Sequence, residues 1–196
     1  SPDDYWRRTA LWEDGGIDSI WHSDLLVSPN VEPLTMLAAL AAATRRLRFG
    51  ANALPAAFRD PLLLAKQFAT IDFLSPGRLL PSFAVGAAWD PFWAATGRNP
   101  AERGRRTSEA IALVRSLLEQ DEVSFEGTYY RHVGPGVQPR PAKPIPLWVG
   151  GESEAAIRRT ALLGDGWLGG LGKPTTAGED RLRIKGALAQ TGRGVE

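Results

Sequence analysis

Two segments decide the fold: Arg48-Phe49-Gly50-Ala51-Asn52-Ala53-Leu54-Pro55 and Gly77-Arg78-Leu79-Leu80-Pro81-Ser82-Phe83-Ala84-Val85-Gly86. Each apolar segment follows a stretch with helical periodicity, Pro33 to Leu47 before the first and Pro61 to Leu74 before the second. Helices and strands that alternate over short connections are typical of a parallel sheet covered by crossover helices. Glycines end these strands at the carboxyl end, where α/β folds place their ligand sites.

The same alternation extends along the whole chain. Its helix signals are a proline in the first turn, an apolar stripe at three- and four-residue spacing, and a glycine after the end. Residues 123–130 alternate and contain a glycine, which predicts a small hairpin outside the main sheet. In chain order, helices are predicted at 5–16, 33–46, 61–74, 104–120, 153–163 and 178–191. Strands outside the first quoted segment are predicted at 17–21, 79–85, 145–149 and 165–168, and irregular connections at 86–103 and 135–146.

The chain is short for a closed (β/α)8 barrel. It has 196 residues, whereas such a barrel takes about 250 residues. The predicted order begins in a helix and ends where another strand is expected, so we infer that the first strand and the last two strands of a barrel are missing. Open sheet edges are rare in natural proteins. We therefore expect either a fragment of a longer protein or a sheet that another chain covers.

Composition excludes several classes of protein. With 23 basic and 22 acidic residues the net charge is +1, so no charge pattern favours nucleic acid or an anionic membrane. No apolar run approaches the roughly 18–20 residues of a membrane span, and the first residues do not resemble a secretory signal. Cysteine is absent and there are two histidines, which excludes disulfides and argues against a metal site. We expect a cytoplasmic protein with a small-molecule partner.

Seven short blocks, in order along the chain, resemble the bacterial-luciferase family of flavin- and deazaflavin-dependent oxidoreductases. Each block alone is weak because glycine and leucine are common; their shared order makes the resemblance specific. It covers roughly residues 5–192, so we treat 1–196 as one partial barrel domain. The blocks lie at 18–21, 37–50, 60–67, 70–79, 125–130, 146–151 and 163–167.

The resemblance implies an α/β fold, a TIM (β/α)8 barrel of the luciferase-like type that is incomplete here. It also implies a site for reduced FMN or the deazaflavin coenzyme F420 at the carboxyl-terminal mouth of the barrel. Such a cofactor delivers a hydride or, as reduced flavin, activates dioxygen. The chain is therefore expected to be an oxidoreductase or monooxygenase acting on a small organic substrate. Dimers are frequent in the family, although the sequence does not show the oligomeric state.

Asp24 and His22 are the catalytic candidates. In many family members an acidic residue followed by histidine ends this strand, whereas here Asp24 is followed by Leu25 and His22 precedes it. Either group, at the carboxyl end of a strand, could transfer a proton or hold the substrate. The alternative is structural: His22 packs in the barrel and Asp24 caps the following loop.

The second candidate site is Ala51-Asn52-Ala53, at the end of a strand. The family often has a non-proline cis peptide bond here, against which the flavin ring rests. By position, that bond would join Asn52 to Ala53. The alternative is an ordinary strand end whose asparagine side chain closes a turn.

The third candidate site is Gly150-Gly151-Glu152-Ser153, which opens a helix. Backbone N–H groups at a helix start, with a serine hydroxyl, can bind an anion without a basic side chain. The resemblance places the cofactor phosphate here, with help from Val85 and Gly86. The alternative is that Ser153 is only the N-cap of the helix.

Two further groups have open interpretations. Trp89 and Trp93 follow a predicted strand, and they either roof the substrate pocket or form a packed loop cluster. Arg103, Arg105 and Arg106 are expected on a solvated helix start, with clamping of an anionic cofactor tail as the alternative.

The sequence favours F420 over FMN for two reasons. Residues 80–86 and 90–91 resemble actinobacterial members described as F420-dependent, and no arginine follows the strand that ends at Gly86. Two other functions remain open. One is a non-catalytic flavin-binding barrel of the same superfamily. The other is a phosphate-binding TIM-barrel lyase or isomerase, which would need a lysine or paired carboxylates at strand ends; no lysine stands at a predicted strand end.

Overall fold

The computed structural model describes residues 1–25, 28–169 and 174–193. Its helices are α1 (Pro2–Asp14), α2 (Pro33–Ala43), α3 (Pro61–Leu74), α4 (Phe92–Ala95), α5 (Arg103–Glu119), α6 (Glu154–Leu163) and α7 (Pro174–Ala189). Its strands are β1 (Ser19–His22), β2 (Arg48–Ala51), β3 (Leu54–Pro55), β4 (Leu79–Leu80), β5 (Ser82–Ala84), β6 (Glu122–Glu126), β7 (Arg131–Pro135), β8 (Trp148–Gly150) and β9 (Gly166–Leu168).

Seven of these strands form two parallel sheets, ordered β1-β2-β4 and β3-β5-β8-β9. The chain passes directly from one sheet into the other twice, from β2 to β3 and from β4 to β5. Pro81, between β4 and β5, has no amide hydrogen to donate to a ladder, and this accounts for the break between those strands. β6 and β7 form a separate antiparallel hairpin, which confirms the prediction of a hairpin outside the main sheet.

Alternate residues of the parallel strands face the interior side of the sheets, and two tryptophans lie close together there. Trp21 of β1 and Trp148 of β8 lie 5.6 Å apart between ring centroids. A Cβ on Gly50 would lie 2.6 Å from Trp21 Cζ3, and a Cβ on Gly166 would lie 2.6 Å from Trp148 Cε2. Since such distances are too short for real side chains, the two glycines make room for the two indoles.

The helices cover the opposite face of the sheets. Asp60 caps α3 by accepting the N–H groups of Leu62 and Leu63 at 2.9 and 3.0 Å, and a proline follows it at the first helical position, as predicted. From α3, Phe68 packs edge-on against Phe83 of β5, with 6.0 Å between centroids. Both rings are fully buried, so the core lies between sheet and helices.

The predicted order of elements is confirmed, with differences in their bounds. α1 begins at Pro2 rather than at residue 5, because the Ser1 hydroxyl caps it by accepting the Asp4 N–H at 3.2 Å. The strand predicted at 79–85 is two strands, and α4 lies inside the connection predicted at 86–103. The hairpin continues to Pro135. Within the described residues the two sheets do not close: β1 and β4 are the outer strands of one sheet, and β3 and β9 are those of the other.

Candidate functional site

A cavity of about 600 Å³ lies at the carboxyl ends of β5 and β8, beside the starts of α5 and α6. Small-molecule sites in proteins have volumes of about 300–1,000 Å³. The cavity brings together all three segments that the family resemblance assigned to the cofactor. The lining residues are Asn52, Ala53, Ala84, Val85, Gly86, Ala87, Ala101, Arg103, Gly104, Gly150, Gly151, Ser153, Ala155, Ala156, Arg159, Leu168 and Gly169.

One wall of the cavity is the connection between β2 and β3. The peptide bond between Asn52 and Ala53 is cis, as the resemblance predicted. The Asn52 N–H donates to the His22 carbonyl at 2.8 Å, which holds this connection against β1. A Cβ on Gly150 would lie 3.7 Å from the Ala53 Cβ, so two small residues border the cavity here. Ala51 is fully buried and does not line the cavity.

The second wall is the loop that leads from β8 into α6. Ser153 is the N-cap of α6, and its Oγ accepts the Ala156 N–H at 3.2 Å. Gly151 has φ +114°, a conformation that L side chains rarely adopt. Its carbonyl accepts the Trp167 indole N–H at 2.9 Å, and its own N–H donates to the Leu168 carbonyl at 3.2 Å. These contacts place the loop at the amino end of α6, where the partial positive charge of a helix favours an anion.

Two arginines complete the lining. Arg103 opens α5 and donates from Nη1 to the Pro100 carbonyl at 2.9 Å. Arg159 of α6 is 8% exposed. It donates from Nε to Ser108 Oγ at 2.9 Å and from Nη2 to the Gly104 carbonyl at 3.1 Å. Burial lowers the pKa of the Arg159 guanidinium. In the part of the chain that the structure describes, neither arginine forms an ion pair with a carboxylate.

The two arginines reach the cavity from helices, not from a strand end. No arginine follows the strand that ends at Gly86, but Arg103 of α5 and Arg159 of α6 line the cavity, so the clamping alternative for Arg103 stays a prediction. Arg159 is not among the candidate residues predicted from the sequence. A signal was present, since Arg159 shares the buried face of α6 with Ala156 and Thr160, and a charged residue on a buried helix face is unusual.

Asp24 lies outside the cavity lining. Its side chain is fully buried and forms an ion pair with Arg59, which is itself 14% exposed and donates from Nη2 to Glu32 Oε1 at 3.0 Å. Burial raises the pKa of Asp24, and the hydrogen bond from Arg59 only partly offsets this. Asp24 Oδ1 has no hydrogen-bond partner among the described residues. Arg59 thus connects the loop after β1 to Glu32, the N-cap of α2. A catalytic role for Asp24 stays a prediction.

His22 also lies outside the cavity lining. Its Nε2 is 2.8 Å from the Tyr5 hydroxyl oxygen, so the ring faces α1. The neighbouring Trp21 points to the opposite, interior face of β1, as strand alternation requires. Burial lowers the pKa of His22, which favours the neutral imidazole. A catalytic role for His22 likewise stays a prediction.

The two loop tryptophans have different surroundings. Trp93 is buried, with its ring centroid 4.3 Å from that of Phe58 and its indole N–H donating to the Ala87 carbonyl at 2.7 Å. Trp89 is 83% exposed. Neither tryptophan, nor Glu152, is among the described residues that line the cavity. Trp93 thus belongs to a packed cluster, and the substrate-pocket role of both tryptophans and the cofactor role of Glu152 stay predictions.

Metal centres and membrane spans are absent from residues 1–25, 28–169 and 174–193. No three histidine, aspartate or glutamate side chains there are grouped so as to hold a metal ion. No helix of this part of the chain is long and apolar enough to cross a bilayer.

Comparison with known proteins decides the family. The sequence model of the luciferase-like monooxygenase family matches residues 1–196. The chain belongs to this family. The crystal structure of the monooxygenase RslO1 from Streptomyces bottropensis is similar to this luciferase-like chain, with a TM-score of 0.87 and 25% identity, and the match covers 99% of this chain and 61% of that one. The fold is that of luciferase-like TIM barrels, of which this chain forms an open part.

Two curated relatives of this luciferase-like chain show how much of a longer protein it matches. An F420-dependent glucose-6-phosphate dehydrogenase of Amycolatopsis mediterranei is 32% identical over 191 residues, which are 92% of this chain and 57% of the relative. An uncharacterized protein of Mycobacterium tuberculosis is 36% identical over 166 residues, 84% of this chain and 57% of the relative. The luciferase-like chain therefore spans little more than half the length of these relatives.

Proposed function

We propose that this luciferase-like chain forms the cofactor-binding part of an oxidoreductase that uses reduced F420 or FMN on a small organic substrate. The observation that carries the proposal is the convergence of Asn52–Ala53, Val85–Gly86 and the loop at Gly150–Ser153 on one cavity. These segments are far apart in sequence and come from three strand ends, which is where α/β barrels bind their ligands. Cytoplasmic location and dimer formation stay predictions.

The lining fits a phosphorylated flavin or deazaflavin. Small side chains at Ala53 and Gly150 leave space for a flat ring, and the α6 start with Arg103 and Arg159 suits a phosphate. When bound, such a cofactor supplies a hydride, or electrons for dioxygen activation in the case of reduced flavin.

The chain's own contribution is to bind and orient the cofactor and to keep water from one side of it. Phe58 and Trp93 pack behind Gly86, since a Cβ on Gly86 would lie 3.5 Å from Trp93 Cζ2 and 3.7 Å from Phe58 Cε2. This aromatic backing closes the wall of the cavity at the end of β5. Where the wall excludes water, polar contacts inside the site are stronger, because water no longer screens them.

We favour F420 as the cofactor. The Amycolatopsis mediterranei relative is by name an F420-dependent enzyme, and this supports the resemblance seen in residues 80–86. The name of RslO1, a monooxygenase, supports oxygen activation as the alternative. The substrate of either reaction would contact loops at the mouth of the cavity.

A non-catalytic flavin-binding protein is the second candidate, and one observation favours it. Asp24 is paired with Arg59 and His22 with Tyr5, and no carboxylate or imidazole is among the described residues that line the cavity. The lining therefore lacks the side chains that most often transfer protons. Lysine is also absent from the described lining residues, so no observation of this kind favours a lyase or isomerase.

The test is a binding titration of the purified chain with F420 and FMN, each oxidised and reduced, followed by cofactor fluorescence or absorbance. Binding of F420 alone would support hydride transfer, and binding of FMN alone would support the oxygen-activating alternative. If none of the four forms binds, the proposed function is wrong. The third outcome is a cofactor that binds but does not turn over. If no substrate of a broad panel reduces or oxidises the bound cofactor, the non-catalytic candidate is favoured.

A further inference from the structure

The β6–β7 hairpin contains one block of the family resemblance, residues 125–130, yet none of its residues is among the described residues that line the cavity. It is fixed to α5 at both ends. Just beyond β7, the Val137 N–H donates to the Leu117 carbonyl at 2.9 Å, near the end of the helix. At its other end the turn at residues 127–130 contacts Glu109, in the first half of α5.

The lengths of the two elements explain this arrangement. From Glu109 to its end at Glu119 the helix rises about 15 Å. The strand that follows returns about 16 Å from Glu122 to Gly127. Because the two distances match, the hairpin lies along α5 and its turn comes back beside Glu109.

The backbone of the turn holds the carboxylate of Glu109. Its Oε1 accepts the N–H groups of Tyr129 and Tyr130 at 2.7 and 2.6 Å, and its Oε2 accepts the Thr128 N–H at 3.0 Å. A Cβ on Gly127 would collide with this carboxylate, so the close approach requires glycine there. Hydrogen bonds to an ionised acceptor are the strong ones, and three of them join α5 to the turn.

A second contact leads from the turn to the start of α5. The guanidinium of Arg106 lies 4.3 Å from the centroid of the Tyr129 ring, within the range of a cation–π interaction. Its Nε donates to Glu102 Oε2 at 3.0 Å. Glu102 directly precedes Arg103, which lines the cavity together with Ala101 and Gly104. The turn therefore contacts the same part of the chain that forms one side of the cavity.

We propose that Glu109 is a positioning residue for the cavity: by binding the hairpin turn it fixes the amino end of α5, and with it Ala101, Arg103 and Gly104, in the arrangement that binds the cofactor. The inference goes beyond the proposed function and rests on it for the identity of the ligand. Glu109 is not among the described residues that line the cavity, so its effect on binding passes through α5. A wall that is fixed before the ligand arrives needs less ordering on binding.

The experiment compares the dissociation constants of FMN and F420 for the purified chain, for Glu109→Gln and for Glu119→Gln, at a temperature at which circular dichroism shows all three to be folded. Glu119 lies on the same helix, away from the cavity, and pairs with Arg115 at 2.9 Å. Its variant therefore makes the same chemical change at the far end of α5.

We expect Glu109→Gln to raise the dissociation constant by about two- to thirtyfold, the range for residues that act on a site without touching the ligand. Glu119→Gln should leave it unchanged. A Glu109 with only a structural role would lower the melting temperature and leave the affinity of the folded protein as it was. That result would overturn the inference while the proposed function stands.

A double-mutant cycle tests the contact from the side of the hairpin. The three atoms nearest to a Cβ on Gly127 all belong to Glu109. Gly127→Ala should therefore weaken cofactor binding in the unaltered chain and add no further loss in Glu109→Ala, where the collision is gone. An equal loss in both backgrounds would mean that the turn acts on the cavity by another route, and the role of Glu109 would be wrong.

Hydrogen exchange separates this inference from the proposed function. If neither FMN nor F420 binds the unaltered chain, the proposed function is wrong, and exchange of the backbone amide hydrogens then tests Glu109 by itself. In Glu109→Gln the amides of residues 107–110 and 128–130 should exchange faster than in the unaltered chain, whereas Glu119→Gln should not change them. Faster exchange at 128–130 alone would show that the turn does not hold α5, and would overturn the inference.

Tyr129→Leu is the second variant, for the case that Glu109→Gln does not fold. It removes the ring beneath Arg106 and leaves the backbone bonds to Glu109 in place. We expect a smaller rise in the dissociation constant, in the same direction. An unchanged affinity in Tyr129→Leu, with no folded Glu109→Gln available, would contradict positioning of the cavity by the turn.

Discussion

The indole rings of Trp21 and Trp148 face each other across the barrel interior, with 5.6 Å between their centroids. Gly50 lies beside the first ring and Gly166 beside the second, at positions where a Cβ would collide with the indole. Gly150 follows Trp148 by two residues and therefore lies on the same face of β8. The tryptophan pair thus lies on the face of the sheets that also carries Gly150, a residue of the cavity lining.

Gly50→Ala should destabilise the protein by about 1–3 kcal/mol or more, the usual range for overpacking. The new Cβ would meet both the Trp21 ring and the Leu80 carbonyl oxygen, and backbone cannot move aside as a flexible side chain can. Urea unfolding gives the change in free energy. The matched control is Gly186→Ala in α7, where nothing lies within 4 Å and alanine should stabilise the helix by up to about 1 kcal/mol. Equal effects of the two changes would contradict the packing of the interior.

Asp24→Ala should destabilise the protein by about 3 kcal/mol, because it leaves Arg59 in a largely buried site without its main counter-charge. Asp18→Ala breaks the exposed ion pair with Arg48, which is 2.6 Å long, and should cost less than about 1 kcal/mol. Chemical denaturation of the two variants provides the comparison. A stable Asp24→Ala that binds cofactor but has lost turnover would instead identify Asp24 as a catalytic residue.

The folded protein should become less stable as the pH is lowered, and Glu13 should contribute to this loss. Burial pushes the pKa of this carboxyl up, but N–H groups of Leu47, Arg46 and Arg45 donate to it at 3.1, 2.6 and 3.1 Å and bring the pKa below its ordinary value of 4.5. A carboxyl with a lowered pKa in the folded state contributes stability above pH 4.5, and that contribution disappears as the pH falls through the folded-state pKa.

The measurement is the urea midpoint of the unaltered chain and of Glu13→Gln at about pH 6 and pH 3, on either side of the carboxyl range. Glu13→Gln should be less stable at the higher pH, and the difference should shrink at the lower one. The exposed neighbouring carboxyl serves as a control through Asp14→Asn. A difference between Glu13→Gln and the unaltered chain that is independent of pH would show that shape, not charge, matters at this position.

Gly151→Trp should abolish cofactor binding. A side chain at φ +114° is strained, its Cβ would lie 3.1 Å from the Ala156 Cβ, and the indole would occupy the cavity. Lys66→Ala is the control, because Lys66 lies on α3 outside this cavity and bonds to the Gln138 carbonyl. Fluorescence titration with F420 and FMN measures both variants. Retained affinity in a folded Gly151→Trp would mean that the cofactor binds elsewhere.

The order of helices and strands could be predicted because the signals are local. A proline in the first turn, the Asp60 cap and the apolar stripe of α3 depend on residues within one or two turns of each other, and the predicted bounds of α3 match those observed. Two bounds were predicted less accurately although their causes are local. They are the break between β4 and β5 at Pro81 and the start of α1, which the Ser1 cap places at Pro2.

By itself, then, the sequence determined the βα order, the family and the three segments that meet at the cavity, because periodicity, caps and motif order are properties of neighbouring residues. Only the tertiary structure decided the electrostatics of the site. Asp24 contacts Arg59, which is 35 residues away in the sequence, and Arg159 contacts Gly104, which is 55 residues away. No local pattern specifies such pairs. Burial and charge balance arise from the packing of distant elements, and they decide which polar groups bind a ligand and which hold the fold together.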